Sequence, residues 1–252
     1  MRPEELHDRL REYWDEDAAT YDRGPGHAAH TPAQRAAWTA TLKRLLPPPP
    51  ARVLDAGAGT GFLSLPLARL GYEVTAIDLS TRMLAQLHAR ADADDLEIAI
   101  VEAPAESPPA GPFDVVVERH LLWTVADPVA ALAAWREVAP SGRLSSFGAV
   151  WGPSDKLEIW RERARNKLHR LERRPPEHHA PYEQELVESL PFQGGGVPPN
   201  EVVAAVEAAG WRRPALERLR DVEWARSLAL GSLERLIGVA REFAVTAEAP
   251  GA

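Results

Sequence analysis

The segment Val53 to Gly61, VLDAGAGTG, constrains this chain more than any other. A short apolar run meets an acid, Asp55, and glycines then follow at alternate positions, Gly57, Gly59 and Gly61. Backbone with so few β-carbons takes left-handed angles freely and lets a ligand approach the main chain closely. Behind it, Leu63 to Leu70 has a helical pattern, with Gly71 as its C-cap and Pro66 in the first turn, where amide donors lack helical partners. Strand, bare turn and helix amino-terminus together suit a nucleotide-like ligand. The spacing is G-x-G-x-G: Phe62 stands where a nicotinamide fingerprint has its third glycine, and no Gly-Lys-Ser/Thr follows for a P-loop.

The rest of the chain alternates strand-like and helix-like runs. EVTAID ends at Asp78, and Ser80 is placed to cap the helix that follows. EIAIVEA and FDVVVE are nearly continuous in apolar residues, as strands covered on both faces are. Asp127 and Pro128 form a cap and first turn before Leu132, Trp135 and Val138, and PSG leads into a fifth strand, Arg143 to Val150. This alternation predicts a doubly wound parallel sheet with helices on both faces. Ahead of it, Leu6, Leu10, Tyr13 and Trp14 recur at helical spacing. A second helix opens on Thr31, Pro32 and Gln34 as a capping box, carries Trp38, Leu42, Leu45 and Leu46 on one face, and stops at Pro47 to Pro50. After Trp151, Leu157, Trp160, Ala164, Leu168 and Leu171 form a helical stripe opposite an Arg-rich face, and a Pro/Gly/His connection suggests a lid. NEVVAAVEAAG is a further helix ending at Gly210, and REFAVTAEA is expected as a last edge strand.

One domain is expected over 1–252: a helical cap over 1–50, a cofactor-binding core over 51–151, a lid insertion over 152–198, and elements completing the sheet over 199–252. The formal charge of -8 repels nucleic acid and anionic membrane surfaces. There is no cysteine, which removes disulfides and thiolate sites and suggests a reducing compartment. The charged opening MRPEELHDRLREYWDED has no apolar signal core, and no apolar run of spanning length occurs, so a cytoplasmic protein without membrane or nucleic-acid partners is expected.

VLDAGAGTG followed by VTAIDLS resembles motif I and the acidic second-strand end of class I S-adenosylmethionine-dependent methyltransferases. The resemblance runs on through ESPPAGPFDVVVERHLLWTVADP, WREVAPSGRL and VVAAVEAAGW, and is closest to the small-molecule, ubiquinone- and menaquinone-biosynthesis-like branch, methyltransferase type 11. It implies a Rossmann-like, seven-stranded, mostly parallel sheet, S-adenosylmethionine as cofactor with S-adenosylhomocysteine as product, and a small-molecule substrate. By the same resemblance Asp55 orients the glycine loop, Gly57 and Gly59 pass under the methionine portion, Asp78 takes the ribose hydroxyls, and Leu79 and Met83 flank the adenine. The other reading of Asp78 is an acid stabilising a helix amino-terminus. Where such enzymes have Gly-Asp-Ala-Glu, this chain has Ala103, Pro104, Ala105 and Glu106, which leaves the Ala105 amide for the ring and Glu102 or Glu106 in place of the usual acid. Tyr21 resembles a tyrosine laid over the cofactor.

Glu118, Arg119 and His120 end the fourth apolar strand where a ligand crevice opens. His120 is the candidate general base, Glu118 joins the cofactor contacts, and Arg119 the substrate wall; the alternative is a local Glu118–Arg119 ion pair beside a helix-end histidine. Trp123 and Trp151 suggest an aromatic substrate pocket, with Tyr182, His178 and His179 as second candidates for the base or for lid contacts to the substrate. His27 and His30 lack the further ligands of a metal site and fit surface histidines, His27 also being a substrate-wall candidate; no metal is expected. Methyl transfer to a small metabolite by a monomer or homodimer is thus the leading expectation. A non-catalytic protein binding the same cofactor or its product, and a nicotinamide-dependent oxidoreductase, are the alternatives.

Overall fold

The computed structural model describes residues 2–24, 26–150, 156–171, 180–181, 183–192 and 197–252. Its centre is a seven-stranded sheet of β1 (Arg52–Ala56), β2 (Glu73–Asp78), β3 (Ile98–Glu102), β4 (Val115–Arg119), β5 (Arg143–Val150), β6 (Arg212–Arg218) and β7 (Arg241–Glu248), in the order β3-β2-β1-β4-β5-β7-β6. The first five strands are parallel, and β7 runs antiparallel to both β5 and β6. Strand order reverses between β1 and β4, where Ala56 pairs with Glu118, so the crevice at a doubly wound sheet's switch point opens above these two residues.

Side-chain alternation divides the core into two layers. Leu54 and Ala56 of β1 pack with Leu6 and Leu10 of α1 (Pro3–Asp17), Leu132 and Trp135 of α5 (Pro128–Val138) and Val206 of α8 (Pro199–Ala208). Val53, on the opposite face, packs with Trp38 and Leu42 of α2 (Pro32–Leu45), Leu67 of α3 (Ser64–Arg69) and Val222 of α9 (Arg220–Leu228). Leu84 and Leu87 of α4 (Thr81–Ala93) close a smaller cluster over Ala76. The local signals are satisfied: Thr31 and Gln34 form the capping box of α2, Ser80 accepts the Met83 amide, Asp127 accepts that of Ala130, and α3 starts at Ser64 with Pro66 in its first turn.

Three expectations need correction. REFAVTAEA is not an edge strand: β7 lies between β5 and β6, with Phe243, Val245 and Ala247 in one core layer and Ala244 in the other. The edge is β6, whose sequence RRPALER has neither apolar alternation nor an unbroken ladder; the pairing register shifts between Arg212 and Ala215 around Pro214. At the other edge, β3 is only half-buried despite its apolar sequence, because one neighbour is missing. The stripe on α6 (Lys156–Leu171) is not covered along its length either: Trp160 is 61% and Leu171 73% exposed, while Arg165 and His169 make polar contacts to Gly238 and to Glu234 of α10 (Ser232–Ile237). Among the described residues no helix is long and apolar enough to cross a membrane, and no group of His, Cys, Asp and Glu is arranged to hold a metal ion.

Candidate functional site

Gly57, Gly59 and Gly61 all have positive φ, at +66, +54 and +95 degrees, but for different reasons. A β-carbon on Gly57 would lie 2.6 Å from Leu121 Cδ1, and one on Gly61 2.5 Å from Leu87 Cδ1, so a methyl at either position would have to displace a leucine side chain. On Gly59 it would meet no atom of the described residues within 4 Å. That is the position where main chain faces open space. The Gly59 amide donates to Asp78 Oδ2 at 2.8 Å, and the Ser80 amide to Asp78 Oδ1 at 2.8 Å. Burial pushes the Asp78 carboxyl up, and the amide hydrogen bonds from Ser80, Gly59 and Leu79 oppose that. Each carboxylate oxygen retains a further lone pair for a ligand donor.

Two acids of the candidate cofactor set, Asp55 before the loop and Glu118 at the end of β4, lie beneath the surface. Asp55 is 1% exposed and accepts the Ser64 hydroxyl at 2.5 Å, where burial lifts its pKa to about 7. Glu118 is 2% exposed, accepts the Ser146 hydroxyl and the Leu121 amide, and is likewise raised by burial to about 7. Neither lines the main groove. Glu118 and Arg119 do not form an ion pair, because successive strand residues point to opposite faces.

Arg119 instead crosses to the α2 side. Its guanidinium lies 3.8 Å from the Phe62 ring centroid and 5.3 Å from that of Trp38, and Nη2 donates to the Gly26 carbonyl at 2.7 Å. His120 follows with φ of 58 degrees, a left-handed conformation that few non-glycine residues adopt and that recurs at functional sites. Its amide donates to the Phe147 carbonyl at 3.0 Å, and the Glu118 carboxylate holds the Leu121 amide at 2.9 Å, so the turn is tied on both sides. Burial lowers the His120 pKa well below its usual value, and the charges of Arg119, His27 and Arg226 push the same way. His27 stacks on Tyr21 at 4.1 Å and its Nδ1 donates to the Tyr21 carbonyl at 2.8 Å; Trp14 meets Tyr21 edge-on at 5.8 Å. Burial raises the Tyr21 hydroxyl to about 12.

These elements border a groove of about 730 Å³ that brings together Tyr21, Gly57, Gly59, Asp78, Leu79, Met83, Ala105, Glu106, Arg119 and His120. Glu106, 3.4 Å from His7, is the acid on this wall; Glu102 is exposed and accepts from Thr81 instead. His7, Leu10 and Trp14 also line the groove, which the sequence reading missed. The spacing places the three on one face of α1, and the docking of that helix turns the face to the groove. Thr124 and Val125 were likewise unforeseen. A smaller recess, open to solvent and enclosing about 250 Å³, is lined by Glu118, Trp123, Ser146, Phe147 and Phe243, among others, and among the described residues His120 borders both spaces. Trp123 therefore faces the recess, not the groove. His27 lies behind Tyr21 rather than on the groove wall, and His30 is exposed. Trp151, His178, His179 and Tyr182 lie outside the described residues.

Strand order, glycine turn and acid-ended β2 together define a doubly wound, Rossmann-like α/β architecture. Residues 54–145 match the family model described as a methyltransferase domain, Methyltransf_11. Over 80 residues the chain is 45% identical to a ubiquinone biosynthesis O-methyltransferase of Caulobacter sp. (strain K31), covering 31% of this chain and 32% of that protein. The chain thus spans about a third of that curated relative. Among solved structures it resembles the geranyl diphosphate C-methyltransferase of Streptomyces coelicolor A3(2), with TM-score 0.60, 13% identity and 98% of each chain covered. It also resembles the [4+2]-cyclase SpnF, with TM-score 0.58, 14% identity, and 97% and 93% covered.

Proposed function

We propose that this protein transfers the methyl group of S-adenosylmethionine to a small organic metabolite in a biosynthetic reaction. The observation that carries this reading is the open space over Gly59, whose amide is fixed by the acid closing β2. A ribose seated on that backbone finds the remaining lone pairs of Asp78, a geometry suited to two hydroxyls. Leu79 and Met83 would supply apolar walls for an adenine, Ala105 would offer its amide to the ring, and Glu106 would take the place of the acid that Pro104 displaces; all four line the groove. The residues present therefore fit the cofactor.

S-adenosylmethionine supplies a sulfonium-bound methyl that passes to a nucleophile as its carbon–sulfur bond breaks, leaving S-adenosylhomocysteine. The protein's part is alignment and exclusion of water. Trp14 and Tyr21 form an aromatic wall where a sulfonium gains cation-π attraction. His120, held neutral by burial at the end of β4, takes the proton that a hydroxyl, ammonium or acidic carbon must lose. The acceptor stands beside His120, and the small recess behind that residue supports this placement. In this reading the protein works in the cytoplasm, as the absence of cysteine supports, as a monomer or homodimer without nucleic-acid or membrane partners.

A second reading, cofactor binding without methyl transfer, is favoured by one observation, the likeness to a protein named as a cyclase. Titration with S-adenosylhomocysteine tests the cofactor: a Tm rise of several degrees is expected, and no rise removes both readings. Transfer of labelled methyl to small hydroxylated or amine-bearing acceptors separates them.

A further inference from the structure

A guanidinium carries a permanent charge and five N–H donors. Arg119 uses one of them within the protein, the Nη2 bond to the Gly26 carbonyl at 2.7 Å. Its Nε is buried without a hydrogen-bond partner among the described residues, and no described carboxylate lies within ion-pair distance. Glu242 is the strongest opposing charge, but it acts from farther off and is engaged with Arg226. Burying a cation this poorly compensated is expensive unless an anion joins it. The side chain is also preorganised, since the Phe62 ring lies under its plane at 3.8 Å and Trp38 borders it. Among the described residues lining the groove, Arg119 alone bears a permanent positive charge. Acids line the groove elsewhere, at Asp78 and Glu106, so the groove separates its charges along its length.

We propose that Arg119 is the carboxylate receptor of this groove, binding through its unused N–H donors a carboxylate presented beyond Gly59. The inference rests on the methyl-transfer reading, in which the cofactor's amino-acid arm leaves the nucleoside from the Asp78 side and needs a cation at its far end. An acceptor bearing a carboxylate offers the same chemistry.

The test is calorimetric titration of the parent, Arg119→Met and Arg119→Lys with three nucleosides: S-adenosylhomocysteine, its decarboxylated analogue and 5'-deoxy-5'-methylthioadenosine. The parent is expected to bind S-adenosylhomocysteine at least tenfold better than the decarboxylated analogue. Arg119→Met is expected to abolish that preference while leaving methylthioadenosine affinity within twofold, which also reports an intact fold. Arg119→Lys is expected to restore part of the preference. A second arm, with S-adenosylhomocysteine saturating, compares benzoate with benzyl alcohol by tryptophan fluorescence. Benzoate binding lost in Arg119→Met, with the nucleoside preference unchanged, assigns the carboxylate to the acceptor. If neither the nucleoside preference nor benzoate binding depends on Arg119, the receptor is overturned. If the parent binds no nucleoside, the methyl-transfer reading falls, and the benzoate comparison repeated without nucleoside decides Arg119: benzoate binding lost in Arg119→Met keeps the receptor, and binding that is absent or independent of Arg119 overturns it.

Discussion

Gly59 and Asp78 meet across the β1–β2 boundary, the glycine amide donating to Asp78 Oδ2 at 2.8 Å. One carboxylate thereby fixes the turn that a ligand lies on and remains available to that ligand. Asp78→Ala is expected to weaken S-adenosylhomocysteine binding by about 1.5 kcal/mol or more, as loss of charged hydrogen bonds does. Calorimetry checks this, and parental affinity in the variant removes the ribose role.

Neighbouring glycines should fail in different ways. Gly59→Ala places its methyl in open space, so binding should drop at least tenfold with a stability loss of about 1 kcal/mol from the positive φ. Gly57→Ala drives a carbon to 2.6 Å from Leu121 and should lower Tm by several degrees more. Equal Tm losses in the two variants, or a Gly59→Ala protein that binds normally, contradict this assignment.

Glu118 ties folding to pH. Burial raises its pKa to about 7, above the unfolded value, so its contribution is full below about pH 4 and is lost as pH rises through 7. Glu118→Gln, which is neutral at every pH, should gain Tm relative to the parent by a few degrees between pH 5 and 8, at about 2–4 °C per kcal/mol in a chain of this size. A Tm difference that stays flat with pH refutes the raised value. The His120 contribution has the opposite sign, because its lowered pKa favours the fold above about pH 6.5, which is why the difference between variants is the quantity to measure.

Replacing His120 by Asn keeps a residue tolerant of its φ of 58 degrees, so stability should change little. Methyl transfer should fall about 100-fold if the imidazole takes a proton. Turnover within twofold of the parent, at unchanged Tm, excludes it as the base.

What was legible in the sequence was mostly local. The glycine turn, Asp78, and the Thr31, Ser80 and Asp127 caps depend on neighbours a few residues away, and each stands where its pattern placed it. The resemblance of VLDAGAGTG and VTAIDLS to one enzyme class gave the sheet, and the strand order agrees. Glu118 lies beneath the groove rather than on its wall, and strand alternation separates it from Arg119. The positions of β6 and β7 depend on long-range antiparallel pairing, and in RRPALER proline and arginine hide the strand pattern altogether. That His7 and Trp14 wall the groove follows from how α1 docks, which helical spacing alone leaves open.

Arg119 and His120 are adjacent, and the guanidinium disfavours an imidazolium beside it. An anion on Arg119 would cancel that repulsion, so occupancy of one residue should sharpen the basicity of the next.

β7 has a kinetic consequence. It is inserted between two strands made before it, so during synthesis β5 and β6 leave the ribosome as an open gap whose filler has not yet emerged. The nascent chain can assemble β1 to β4 early, but closing this side of the sheet must await residues 241–248. A chaperone that shields exposed strand edges would have its work there, in that interval.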